Sequence, residues 1–72
     1  MQYPFNQRRL GLNIRHYRHT RQLTQYKLAE MVSCSTNTLS KWERGIHAPS
    51  VQQLFLLAKA LNCHVHELLQ DV

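Results

Sequence analysis

Carboxylates are scarce in this chain: Glu30, Glu43, Glu67 and Asp71 are the whole acidic complement of 72 residues, against nine Lys and Arg. That scarcity leaves little for general acid or base chemistry beyond five histidines, and no GxxxxGK[ST] or HExxH pattern occurs, so catalysis is not expected. Two cysteines, Cys34 and Cys63, are too few and too separated for a disulfide framework and read as reduced thiols of a cytoplasmic protein. No apolar run approaches the roughly 18 residues that a membrane span requires, and the polar start does not resemble a signal peptide. Strand-like alternation, internal repeats and low-complexity runs are likewise missing. A chain of 72 residues holds one small domain, without room for an enzyme cleft as well. What remains in excess is positive charge, a formal +5, which favours a polyanionic partner such as nucleic acid, although a membrane surface would satisfy charge alone.

The apolar residues recur with helical spacing. Leu10, Ile14 and Tyr17 share one face of a first helix starting near Asn6 or Gln7, and Arg8, Arg9, Arg15, Arg18 and Arg21 crowd the rest of it. Gly11 lies inside this helix at a cost of about 1 kcal/mol relative to Ala, as a close helix approach would explain. Thr24 is the N-cap expected for a second helix that turns Leu28, Ala29 and Val32 inward, with Leu23 packing from just outside the cap. Ser35 is the expected N-cap of a third, with Leu39 and Trp42 on its apolar face and Gly45 as its stop. Ser50 starts a fourth helix, with Gln53 in capping-box position and Val51, Leu54, Leu57, Ala58 and Leu61 in helical period. Asn62 suits its left-handed closure, and Val65, Leu68 and Leu69 make a last short helix from about His64. Residues 1–6 form an N-terminal arm and residues 7–72 a compact five-helix, all-α domain in which no helix is long enough to stand alone.

The segment TQYKLAEMVSCSTNTLSKWERG, residues 24–45, is two short helices joined by a tight turn. Such a pair reads DNA when the second helix enters the major groove, about 12 Å wide, and the first lies across the backbone. Ala29 sits at the expected crossing, where a larger side chain would push the helices apart. Thr36, Asn37 and Thr38 offer short hydrogen-bonding side chains at the start of the second helix, and Lys41 follows Asn37 by one turn. Asn37 can pair bidentately with adenine, Thr36 or Thr38 can meet a base or a thymine methyl, and Lys41 can reach guanine or a phosphate. Gln25 at the first turn of the preceding helix and Arg44 near the end of the reading helix are candidate phosphate contacts, with Arg15 adding charge along the flank. The plainer alternative for each is a solvated face. Trp42 is first of all a core residue.

These residues resemble the Cro/cI-type helix-turn-helix family, the lambda repressor-like or XRE family of small DNA-binding regulators. The resemblance spans residues 10–69 and is carried by LTQYKLA at 23–29, SxxTLSKWERG at 35–45, APS at 48–50 and LFLLAKAL at 54–61. It implies that Gln25 contacts phosphate, that Thr36, Asn37 and Lys41 face bases, and that Arg44 contacts the backbone. It also implies an ion pair between Arg18 and Glu43 that gives a carboxylate a structural reason to stand on a DNA-facing helix. The chain departs from the family where glycine is usual, at Gln22 and Ser33, and where Ser or Thr usually caps the last helix, at His64.

The expectation is therefore a sequence-specific regulator of transcription that binds double-stranded DNA, a repressor working as a homodimer on a palindromic operator and needing no cofactor. Leu12, Phe55 and Leu56, together with Tyr3, Phe5 and Val72 in the tails, are apolar beyond the needs of the core and are candidates for a dimer seam. Cys63, His64 and His66 cluster in sequence, but neighbouring side chains on a helix diverge and no second pair stands at finger spacing, so no metal is expected. The competing reading is an antitoxin or accessory protein whose main partner is another protein.

Overall fold

The computed structural model describes residues 5–72, which fold as five helices: α1 (Gln7–Thr20), α2 (Gln25–Met31), α3 (Thr36–Glu43), α4 (Val51–Ala60) and α5 (Val65–Leu68). Each of the first four starts on a polar side chain that accepts an otherwise unpaired backbone N–H. Asn6 accepts from Arg9, Thr24 from Lys27, Ser35 from Thr38 and Ser50 from Gln53. At α4 the box is complete, because the Gln53 side chain accepts the Ser50 N–H at 2.8 Å. At α5 the Glu67 carboxylate accepts the His64 N–H at 2.8 Å, which secures a helix start lacking a hydroxyl cap.

Between the helices the chain turns through left-handed residues at Gln22 (φ 58°), Ser33 (φ 57°), Gly45 (φ 75°) and Asn62 (φ 53°). Gln22 and Ser33 stand where glycine would carry no steric penalty, so each stores local strain.

One core joins all five helices. Leu10, Ile14, Leu28, Ala29, Leu39, Trp42, Leu57, Leu61 and Leu68 are buried in it, and Leu23, Tyr17 and Val65 pack at its margin. Asn13 of α1 and Arg21, the C-cap of that helix, satisfy distant helix ends. Asn13 donates through Nδ2 to the carbonyls of Leu68 and Gln70, both at 2.9 Å. Arg21 donates through Nε to the Leu61 carbonyl at 2.7 Å, where its charge also suits the negative end of α4.

Three apolar residues sit differently from the sequence expectation. Val51 shares the period of the α4 core residues yet, as the first residue of that helix, is 70% exposed. Leu69 follows the end of α5 and is exposed. Val72 is not surplus surface: it packs against the core, and its carbonyl accepts the Asn6 N–H at 2.8 Å. That contact ties Asn6, assigned above to the arm, into the helical unit; Tyr3 lies outside the described residues.

Candidate nucleic-acid interface

The position of α3 is set by its closest neighbour, α1. A Cβ built on Gly11 would overlap the Trp42 carbonyl oxygen and lie 2.6 Å from that of Glu43, so the two backbones meet there and only hydrogen fits between them. Gln7 reinforces the same junction by donating through Nε2 to the Gly45 carbonyl at 2.9 Å. On the other side, α2 packs on α3 through buried Leu28 and Ala29.

A buried polar network locks the pair further. Arg18 donates to Glu43 through Nε at 2.6 Å and through Nη2 at 3.1 Å, with side chains 10% and 3% exposed. Its Nη1 donates to the Leu23 carbonyl at 2.8 Å, just before the Thr24 cap. Nη2 also stands 3.1 Å from Nε2 of His19. A guanidinium can only donate, so His19 Nε2 is the acceptor wherever this contact is a hydrogen bond. Gln25 completes the network by donating through Nε2 to Glu43 Oε1 at 3.0 Å. The Glu43 carboxylate thus accepts three hydrogen bonds, which offsets the cost of burying it.

With Leu39, Trp42 and Glu43 turned inward, the opposite side of α3 is free. Asn37, Lys41 and Arg44 follow at intervals of four and three and form one outward ridge. Thr36, Asn37 and Arg44 are exposed and Lys41 is half-buried. The Arg44 Nε bonds back to the Ser40 hydroxyl at 3.2 Å, which leaves its Nη groups projecting. Thr38 stands to one side of this ridge, its hydroxyl oxygen accepting from Ser35 Oγ at 2.9 Å. It shares a groove with Lys41, Trp42, His47, Ala48 and Gln53. Gln25 stands on the other side, aimed by Glu43, at an α2 start whose first amides have no partner within the helix. Arg15 is exposed on α1, four residues beyond Gly11, and so flanks the α1–α3 seam without joining the ridge.

The thiols take no part in this surface. Cys34, in the turn between α2 and α3, is half-buried, and burial pushes its pKa up despite a hydrogen bond with the Leu39 backbone. Cys63 is raised in the same way, first by burial and then by the nearby Glu67 carboxylate. Among the described residues no group of three or more His, Cys, Asp or Glu is placed to hold a metal ion. No helix among them is long and apolar enough to cross a membrane.

Among the contacts that escaped sequence reasoning are Gln7 to Gly45, Gln25 to Glu43, Asn13 to the end of α5, and Arg21 to the end of α4. Each joins residues many positions apart, where periodicity carries no signal. A buried-face position on α1 was the available hint for Asn13.

The Helix-turn-helix family model matches residues 14–68. The chain is 39% identical over 54 residues to the HTH-type transcriptional regulator DicA of Escherichia coli (strain K12), covering 75% of this chain and 40% of DicA. It is 35% identical over 65 residues to Repressor protein C2 of Salmonella phage P22, covering 90% and 30%. It is 34% identical over 53 residues to Antitoxin PezA of Streptococcus pneumoniae serotype 4 (strain ATCC BAA-334 / TIGR4), covering 74% and 34%. The chain therefore spans less than half the length of these curated relatives. Among solved structures, the clp gene regulator ClgR of C. glutamicum superimposes with a TM-score of 0.86 at 30% identity, over 96% of this chain and 90% of that one. The P22 c2 repressor bound to a synthetic operator superimposes with a TM-score of 0.81 at 35% identity, over 88% and 96%. On both its sequence and its fold, the chain belongs to the helix-turn-helix family of the lambda repressor-like type.

Proposed function

We propose that this domain reads double-stranded DNA sequence-specifically and regulates transcription from the cytoplasm, as a repressor acting as a homodimer on a palindromic operator. One observation carries the reading. The ridge of Asn37, Lys41 and Arg44 is outward on a helix whose other side is fixed by Gly11, Trp42 and the Arg18–Glu43 pair. A rigid polar ridge on a protein of net charge +5 suits the floor and walls of the major groove. In this reading Asn37 and Lys41 address base edges, with Thr36 and Thr38 beside them. Gln25, Arg44 and Arg15 hold phosphates and fix the register, and no cofactor or catalytic step is involved. Ala29 and the Arg18–Glu43 pair act indirectly, by keeping α3 at its angle.

Dimerisation rests on the exposed apolar residues Phe55 (60%), Val51 (70%), Leu12 (45%) and Leu56 (41%), which exceed what an isolated small domain needs on its surface. Val51 and Phe55 stand one turn apart on α4 and are the favoured centre of the seam.

Selection of binding sites from random duplexes with the purified protein tests the proposal. A palindrome whose half-site centres lie one helical turn apart, about 10 base pairs, is expected. Retention of duplexes without any enriched sequence would overturn it. The similarity to Antitoxin PezA favours a second reading, in which the main partner is a protein. That partner's binding would then survive Asn37→Ala and Lys41→Ala unchanged.

A further inference from the structure

A groove lies beside the recognition ridge, on its α4 side. It holds about 290 Å³ and is lined by Thr38, Lys41 and Trp42 of α3 together with His47, Ala48 and Gln53. His47 is exposed, and its loop is held on both sides. Gly45 turns the chain at φ 75°, the His47 N–H points to the Lys41 carbonyl at 3.4 Å, and Pro49 is buried.

We infer that His47, beside Lys41, seats a DNA backbone phosphate in this groove and makes DNA affinity depend on protonation of its imidazole. The inference rests on the DNA-reading proposal above and extends it. A helix in the major groove has a phosphate strand on each side. Gln25 flanks the ridge on the α2 side, and the His47 groove lies on the opposite side, toward α4. The groove therefore stands where the second strand must pass.

The charges around it favour an anion. From α3 comes Lys41, and from α1 the Arg8 backbone abuts the Gly45 corner. From α4 comes the neutral Gln53, and the first charged residue of that helix is Lys59. The nearest carboxylate in sequence, Glu43, is buried on the other side of α3 and held by Arg18. No acid lines the groove. A phosphate facing an imidazole favours its charged form, so complex formation at this place takes up a proton.

The test uses the full chain and a labelled duplex selected from a random pool near neutral pH. Fluorescence anisotropy is read from about pH 5.5 to 8 at constant ionic strength, across the range in which imidazoles titrate. If phosphate raises the imidazole pKa by about one unit, wild-type affinity rises about tenfold toward the acid end. His47→Gln should lose most of that gain, keep wild-type affinity within about twofold at the alkaline end, and show a shallower salt slope in acid only. His66→Gln on α5 should keep the full gain, and melting curves at each pH confirm that both variants are folded.

A His47→Gln protein that retains the tenfold gain overturns the assignment, as does a wild type whose affinity does not change with pH. A His47→Gln protein that selects a different sequence would show that His47 reads a base, which overturns the phosphate contact. Failure of the wild type to retain any duplex at any pH would remove the DNA reading itself, and this inference with it.

Discussion

Replacing Gly11 with alanine sets two effects of opposite sign against each other. Helix propensity alone makes the change favourable by about 1 kcal/mol, because alanine loses less backbone freedom in a helix interior. Packing opposes it. The new methyl group would overlap the Trp42 carbonyl oxygen and stand 2.6 Å from the Glu43 carbonyl oxygen, 2.8 Å from its carbon. These neighbours are backbone atoms, so no side chain can rotate away, and relief requires α1 and α3 to separate. Overpacking of this kind costs about 1–3 kcal/mol, and immovable neighbours place it at the upper end. The net expectation is a loss of about 2 kcal/mol. For a domain of 72 residues, whose whole stability is about 4–11 kcal/mol, that loss is substantial. It corresponds to a fall in Tm of about 8–16 °C. Thermal and urea denaturation followed by far-UV circular dichroism measure it. A Gly11→Ala protein that melts at or above the wild-type temperature would refute the claim that a backbone-to-backbone contact fixes the recognition helix.

Glu43→Ala strands Arg18 in the core and should cost about 3–5 kcal/mol, whereas the double replacement Arg18→Met with Glu43→Leu should recover much of that loss; urea midpoints of the three proteins decide it. Gln22→Gly and Ser33→Gly relieve left-handed backbones at φ 58° and 57°, and each should stabilise by about 0.5–1 kcal/mol; a loss of stability in both would contradict the strain. Asn37→Ala should weaken binding to a selected operator by about 1–3 kcal/mol while leaving binding to unrelated duplexes nearly unchanged, as competition titrations can read. Glu67 is held below the usual carboxylate range, chiefly by the His64 backbone N–H. Its folded value lies below its unfolded one, so its contribution is complete above the unfolded value and disappears as pH falls through the folded value. Glu67→Gln should therefore flatten the acid limb of the stability profile, and an unchanged limb would count against the contact.

Much of this fold was legible in the residues because its signals are local. Thr24, Ser35 and Ser50 cap helices from within three positions, and Gly45 and Asn62 turn left-handed where the chain has few other stops. The spacing of Leu39 and Trp42 alone determines which side of α3 faces outward, and with it the ridge of Asn37, Lys41 and Arg44. The Arg18–Glu43 pair was implied only by the family resemblance, since a separation of 25 positions has no period to betray it. Periodicity misplaced Val51, because a period assigns a face but not how far the neighbouring helix extends to cover it. It was equally silent on Thr38, which stands at the edge of the α3 ridge and shares a groove with α4. Gly11 was legible as a possible approach, but that its partners are backbone carbonyls emerges only from the packed structure.

The claim on which the rest depends is that the outer edge of α3 lies between paired DNA strands. Amide and side-chain chemical-shift mapping, with a selected duplex titrated into isotopically labelled protein, addresses it directly. The largest changes are expected at Thr36, Asn37, Lys41 and Arg44, with Gln25 and His47 on either flank. Changes concentrated instead in the cleft between α1 and α5, around Arg9, His16 and Gln70, with an undisturbed α3 edge, would contradict it.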